Sequence, residues 1–180
     1  MEIFNNKMTF TFTNKAAACK AKEITIDVLQ KMNKEFWFLN ATKNMVSRLT
    51  IKNNSLVTPE GEGDFESEEL LEVGTEIVKA IAAALPRNRF TFEIVGCDTY
   101  TEGWLEGCYS NGTLEMTSTF YPEGYCEYVS CPECGEFIVR LDEYDPTKTY
   151  VCPECGEEVD LAENYESCKP IIERKTAKVI

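Results

Sequence analysis

Between Cys131 and Glu157 the chain carries Cys-Pro-Glu-Cys-Gly-Glu twice, at Cys131–Glu136 and Cys152–Glu157, with seventeen residues between Cys134 and Cys152. A thiolate is a soft, anionic ligand, and four sulfurs that converge on one point complete a tetrahedral shell around a single metal ion. Cys131, Cys134, Cys152 and Cys155 are the expected ligands. Two tight Cys-x-x-Cys turns joined by a hairpin would deliver them to that point. Four protein sulfurs leave no position for water or substrate, so the expected site is structural and not catalytic. Metal binding would contribute on the order of 10 kcal/mol to folding so small a module.

The rest of the chemistry is bounded by an absence, because the chain has no histidine. That removes Ser-His-Asp and Cys-His catalysis, HExxH metalloprotease sites and the His-containing zinc centre of nucleoside deaminases. The thirty-one Asp and Glu residues guarantee accidental carboxylate pairs; the expected reading is a solvated acidic surface, and no catalytic residue is nominated. No phosphate-binding glycine pattern appears, and Gly61-Glu-Gly63 reads as a loop. Of five further cysteines, Cys126 and Cys168 are expected to be small packing residues, Cys97 and Cys108 core or sheet-face residues, and Cys19 is assigned no role. Cys126 and Cys168 flank the knuckles closely enough to substitute as ligands or to pair on oxidation, while Cys97 and Cys108 fall near two neighbouring strands.

The knuckles resemble the CPxCG turns of the zinc-ribbon and rubredoxin-like group, over about residues 129–158 only. The resemblance implies zinc on the four cysteines named. It also implies that Gly135 and Gly156 take a conformation in which backbone N–H groups point at sulfur and stabilise thiolate charge. It is nearly silent on function. Iron is the rival ion, since rubredoxins hold one iron with the same turns; they have a longer stretch between knuckles and an aromatic core around the metal, whereas this hairpin is charged (Arg140, Asp142, Glu143, Asp145).

The elements that must carry the knuckles can be read from periodicity. Residues 7–13 alternate with Met8, Phe10 and Phe12 on one face, a half-buried strand. From Asn14, a capping residue, Ala17, Ala21, Ile24, Val28 and Met32 recur at helical spacing, with a strand over Glu23–Leu29 as the competing reading. After a poorly patterned segment containing Phe36, Trp37 and Phe38, a hairpin is expected around Asn53-Asn54. A second helix runs from a Ser67 cap through Leu70, Val73, Ile77 and Ile81 to Leu85, stopped by Pro86. Three strands follow, Arg89–Val95, Trp104–Ser110 and Thr113–Phe120, the last two joined by Asn111-Gly112. The order β-α-β-β-α-β-β-β predicts an α+β fold: an antiparallel sheet with two helices on one face, ferredoxin-like with extra strands, in residues 1–125. Residues 126–180 are expected to form the ribbon and its C-terminal tail, with strands at Phe137–Leu141 and Lys148–Val151 around Asp145-Pro146.

No apolar run approaches the length of a membrane span, and the N-terminus lacks a basic and apolar leader pattern, so a cytoplasmic address is expected. The net charge of -13 is unevenly spread: +5 over residues 1–52, -10 over 53–120, -11 over 121–168 and +3 over 169–180. An acidic ribbon argues against phosphate binding, which relies on Lys and Arg. Phe10, Phe12, Phe90 and Phe92 would stack bases only if they faced outward, and they are expected to form the core. The leading functional expectation is a non-enzymatic protein-interaction module with structural zinc. Behind it stand nucleic-acid association through the basic helix (Lys15, Lys20, Lys22, Lys31, Lys34) and tail (Lys169, Arg174, Lys175, Lys178), and an enzyme with carboxylate or thiol chemistry.

Overall fold

The computed structural model describes residues 4–32, 36–58, 62–63, 65–97, 101–121 and 128–179. Contacts divide the chain into two units, residues 1–120 with 172–180 and residues 121–171, each with its own core. The boundary expected between residues 125 and 126 lies outside the described residues, as do Cys126, Lys34 and most of the acidic loop at 59–64.

In the first unit β1 (Phe4–Phe12) buries Met8, Phe10 and Phe12 and turns Thr9 and Thr11 away from the core. Asn14 caps α1 (Lys15–Lys31), its side-chain oxygen accepting the Ala17 N–H at 2.9 Å. The strand alternative over Glu23–Leu29 is not formed. Ala17, Ala21, Thr25 and Leu29 recur every fourth residue and are buried, while Ile24, Val28 and Met32 pack at the half-buried margin. The expectation of two helices is corrected by α2 (Phe36–Arg48), which fills the segment read as unpatterned. Ala41 and Met45 within it, and Leu49 just past its end, are buried at four-residue spacing, a stripe too short and too interrupted by polar residues to stand out in sequence.

β2 (Thr50–Lys52) and β3 (Ser55–Thr58) form the expected hairpin, with Asn53 at φ 56° in its turn. A short β4 (Glu62–Gly63) also pairs with β1. Helix α3 (Ser67–Ala84) buries Leu70, Val73, Ile77 and Ile81 and ends two residues before Pro86. Its cap is Glu66 and not Ser67: the Glu66 N–H donates to Glu69 at 3.4 Å, while Ser67 is buried and its hydroxyl donates to the Thr101 carbonyl at 3.0 Å. β5 (Phe90–Cys97), β6 (Glu102–Ser110) and β7 (Thr113–Tyr121) form the meander. Asn111 (φ 52°) and Gly112 (φ 79°) make the left-handed turn that the dipeptide predicts.

The sheet order is β7-β6-β5-β1-β3-β2. Phe10, Phe12, Phe90 and Phe92 are at most 4% exposed and pack ring against ring at 5.3–6.2 Å. They are therefore core residues and not a base-stacking platform.

The second unit contains β8 (Tyr128–Ser130), β9 (Phe137–Arg140), β10 (Tyr150–Val151), β11 (Glu158–Val159) and α4 (Ala162–Cys168). The hairpin expected between the knuckles is corrected. β9 pairs with β8 and β10 with β11, so each knuckle closes its own two-stranded ladder. The reason lies in the turns. Cys131 N–H donates to the Glu136 carbonyl at 2.7 Å and Cys152 N–H to that of Glu157 at 2.9 Å, which reverses the chain within six residues. The intervening residues form a 3-10 turn at Leu141–Glu143 and a turn at Asp145-Pro146, where the Lys148 N–H meets the Asp145 carbonyl at 3.1 Å.

The basic tail, read as patternless, is a strand. β12 (Ile171–Lys178) lies beside β7 at the edge of the large sheet, and the Val179 N–H donates to the Gly112 carbonyl at 2.8 Å. All eight of its residues are exposed, so no apolar face announces it. Among the described residues no helix is long and apolar enough to cross a membrane.

Candidate metal centre

The two knuckles are near copies in conformation as well as in sequence. Gly135 (φ 79°) and Gly156 (φ 73°) occupy the left-handed region, which glycine enters without a Cβ penalty. Their N–H groups donate to the carbonyls of Cys131 and Cys152, both at 2.9 Å. Each turn thereby folds back on its first cysteine, and the sulfurs of both are brought together.

The candidate ligand atoms of Cys131, Cys134, Cys152 and Cys155 all lie within 4.8 Å of one another. The cross-knuckle pairs stand at 3.9 Å for Cys131–Cys155 and 3.5 Å for Cys134–Cys152. A tetrahedral site with metal–sulfur bonds of about 2.3 Å puts its sulfurs about 3.8 Å apart. A disulfide needs about 2.05 Å. The spacing therefore fits four ligands of one ion and not two bridges. Cys131 and Cys152 are buried, at 2% and 1% exposure, among Val129, Val159 and Leu161, whereas Cys134 and Cys155 are exposed at the knuckle tips.

Electrostatics point the same way. The Glu136 N–H donates to Cys134 and lowers it, but Cys152, burial and the other two sulfurs outweigh that and push the Cys134 thiol up to about 12. Cys155 is likewise raised, its Glu157 N–H donor overcome by Cys152, burial and Cys131. Cys152 moves down to about 7, chiefly through the N–H of Cys155, helped by that of Glu154 and by the Cys134 and Cys155 thiols, against its burial. Four sulfurs this close resist common ionisation, and a cation at their centre is what would let them all ionise. The backbone N–H donors expected from the CPxCG resemblance are present at Cys134, Cys152 and Cys155.

Of the remaining cysteines, Cys168 is buried in the second unit, its thiol 3.8 Å from the Tyr128 carbonyl, and stands outside the sulfur cluster. Cys19 is exposed on α1. Cys97 and Cys108 are half-buried strand residues whose thiols approach Glu102 at 3.5 Å and Glu115 at 3.9 Å. What sequence reasoning missed is an aromatic stack: Tyr144 lies 4.1 Å from Tyr165 and 5.8 Å from Tyr150, centroid to centroid, and all three pack against the core that holds Cys131 and Cys152. Burial, then the acidic and phenolic neighbours Asp160, Tyr150, Tyr165 and Glu166, push the Tyr144 hydroxyl up. The three tyrosines are scattered in sequence and share no period, so only the tertiary fold reveals the stack.

The basic residues singled out in sequence are partly spent on local partners. Lys20 pairs with Glu23 at 2.6 Å, Lys31 with Asp27 at 2.5 Å, Lys169 with Glu166 at 2.7 Å and Lys175 with Glu173 at 2.5 Å. Lys22 donates to the Leu49 carbonyl at 2.7 Å. Comparison with family models, with curated proteins and with solved structures returns no match for this chain.

Proposed function

We propose that this chain is a non-enzymatic, cytoplasmic protein-interaction module in which zinc, held by Cys131, Cys134, Cys152 and Cys155, is a structural staple for the ribbon unit. The observation that carries the reading is the sulfur cluster itself: four thiols from two equivalent turns within 4.8 Å, two of them inside the small core. Zinc bound there would neutralise thiolate charge and cross-link the two ladders. A shell of four cysteines leaves such an ion no free position, which supports scaffolding over catalysis.

The first unit is ferredoxin-like in this reading. In the order β5-β1-β3-β2, β3 lies between β1 and β2 and β1 between β3 and β5, the split βαβ arrangement, with β6, β7 and β12 as additions. Iron is the alternative ion, favoured by the stacked Tyr144, Tyr150 and Tyr165 beside the cluster. A red protein that bleaches on reduction would identify it. Nucleic-acid association ranks below protein binding because most of the helix lysines already meet acids or carbonyls.

The test is affinity capture from host-cell extract with the full chain, against a variant with all four cysteines replaced by Ser. The reading predicts a discrete protein captured by the metal-loaded chain alone. Identical capture by the Ser variant, or retention of nucleic acid and no protein, contradicts it.

A further inference from the structure

We infer that the β8–β9 hairpin, through a face centred on Phe137, docks a basic protein segment that presents an apolar side chain. This rests on the protein-interaction reading above and names its surface and the chemistry of its partner.

The anchor is an aromatic pair on the outside of the ribbon unit. Phe137 is 56% exposed and Tyr128 36% exposed, and their rings stack at 5.5 Å and 23°. The Arg140 guanidinium lies 5.8 Å from the Tyr128 centroid and is held by Asp142 at 3.2 Å. A ring already fixed by a neighbour loses little rotamer freedom when a partner covers it, and large, rigid aromatic groups are the residues that carry binding energy.

Charge chooses the occupant. From Tyr128 to Ile171 there are eleven acidic residues and three basic ones. Each of the three, Arg140, Lys148 and Lys169, already lies beside an acid of the same unit, at 3.2, 3.7 and 2.7 Å. The other eight carboxylates are exposed and meet no cation among the described residues, Glu133 and Glu136 among them on the turn that leads into Phe137. Four thiolates around a divalent ion would add about two more negative charges. Such a field repels nucleic acid, an anionic membrane and a second copy of the same unit, and it attracts a Lys- or Arg-rich segment. The exposed ring then supplies what charge alone does not, a site for an apolar side chain between the cations.

The experiment is fluorescence anisotropy with the zinc-loaded full chain and labelled peptides of alternating Lys and Leu, Lys and Ser, and Glu and Leu. The Lys-Leu peptide should bind, with affinity falling about tenfold as sodium chloride is raised from about 50 to about 200 mM. Phe137→Ser should weaken it about thirty-fold, the loss typical of a central aromatic anchor, and Phe137→Tyr should restore most of it. Ile172→Ser, which removes an equally exposed apolar group on β12, should change nothing. Glu136→Lys should weaken binding without touching the ring, and retained zinc in each variant verifies that the ribbon is folded. Equal binding to Phe137→Ser, equal binding of the Lys-Ser peptide, or no binding of the Lys-Leu peptide overturns the assignment. If Phe137→Ser captures the same protein from extract as the parent chain, this face is wrong and the module reading stands; if the parent chain captures none, the module reading itself fails.

Discussion

Replacing Cys152 with Ser should unfold the second unit while leaving the large sheet intact. Cys152 is 1% exposed and lies in a core whose other buried members are Val129, Cys131, Val159 and Leu161. Three aliphatic side chains stabilise by about 2 kcal/mol each, well below the conformational entropy of ordering a unit that runs from residue 121 to 171. A structural metal contributes on the order of 10 kcal/mol, enough to decide the balance. The first unit has its own core, with twenty-six buried apolar residues among those described, and needs no such help. Hydrogen exchange followed by mass spectrometry on the full chain reads both units at once. In the variant, or after chelation, amides of β8 to β11 and α4 should lose protection by a factor of about ten thousand or more, corresponding to more than about 5 kcal/mol. Those of β1, β5 and α3 should keep theirs. Unchanged protection of β8 to β11 after the metal is stripped would refute the reasoning, because the unit would then be held by contacts that the small core does not suggest.

Three further outcomes follow from local geometry. Gly135→Ala meets no atom within 4 Å, so its cost is conformational alone at φ 79°, about 1–2 kcal/mol, and Gly135→Asn should cost less; chelator competition in the two variants measures it. Gly107→Ala places its Cβ 2.0 Å from the Glu115 carbonyl oxygen, a backbone collision between neighbouring strands, and thermal denaturation should show a loss of more than about 3 kcal/mol, well beyond the conformational cost at Gly135. For pH, the Cys134 and Cys155 thiols are both held above their usual range and keep their protons at neutrality. Zinc must displace these protons, so affinity rises with pH, at least about a hundredfold per unit between pH 6 and 7, and calorimetry in buffers of different ionisation heat counts them. Release of fewer than two protons would contradict the assignment of four thiol ligands.

Much of this architecture is legible in the chain because strong local rules act alone there. Met8 to Phe12 and Phe90 to Ile94 alternate over a sheet with one buried face, Asn111-Gly112 demands a left-handed turn, and Leu70 to Ile81 repeats at helical spacing. The sulfur cluster is legible for the same reason, since each knuckle is closed by hydrogen bonds within six residues. Where sequence reasoning failed, the decisive partner is distant or the stripe is short. Helix α2 hides Ala41 and Met45 among polar neighbours. Strand β12 has no buried face and exists through its backbone ladder to β7. The pairing of β9 with β8, and not with β10, is set by the knuckle turn, which reverses the chain before the connecting segment can. The tyrosine stack joins residues 144, 150 and 165, which no period connects.

The central claim is that the four knuckle cysteines hold one zinc ion, and X-ray absorption at the metal edge on protein of known metal content tests it most directly. The account predicts one zinc per chain with four sulfur neighbours at about 2.3 Å and no oxygen or nitrogen in the shell. A chain purified without metal, an iron edge in place of zinc, or a shell containing light atoms would contradict it.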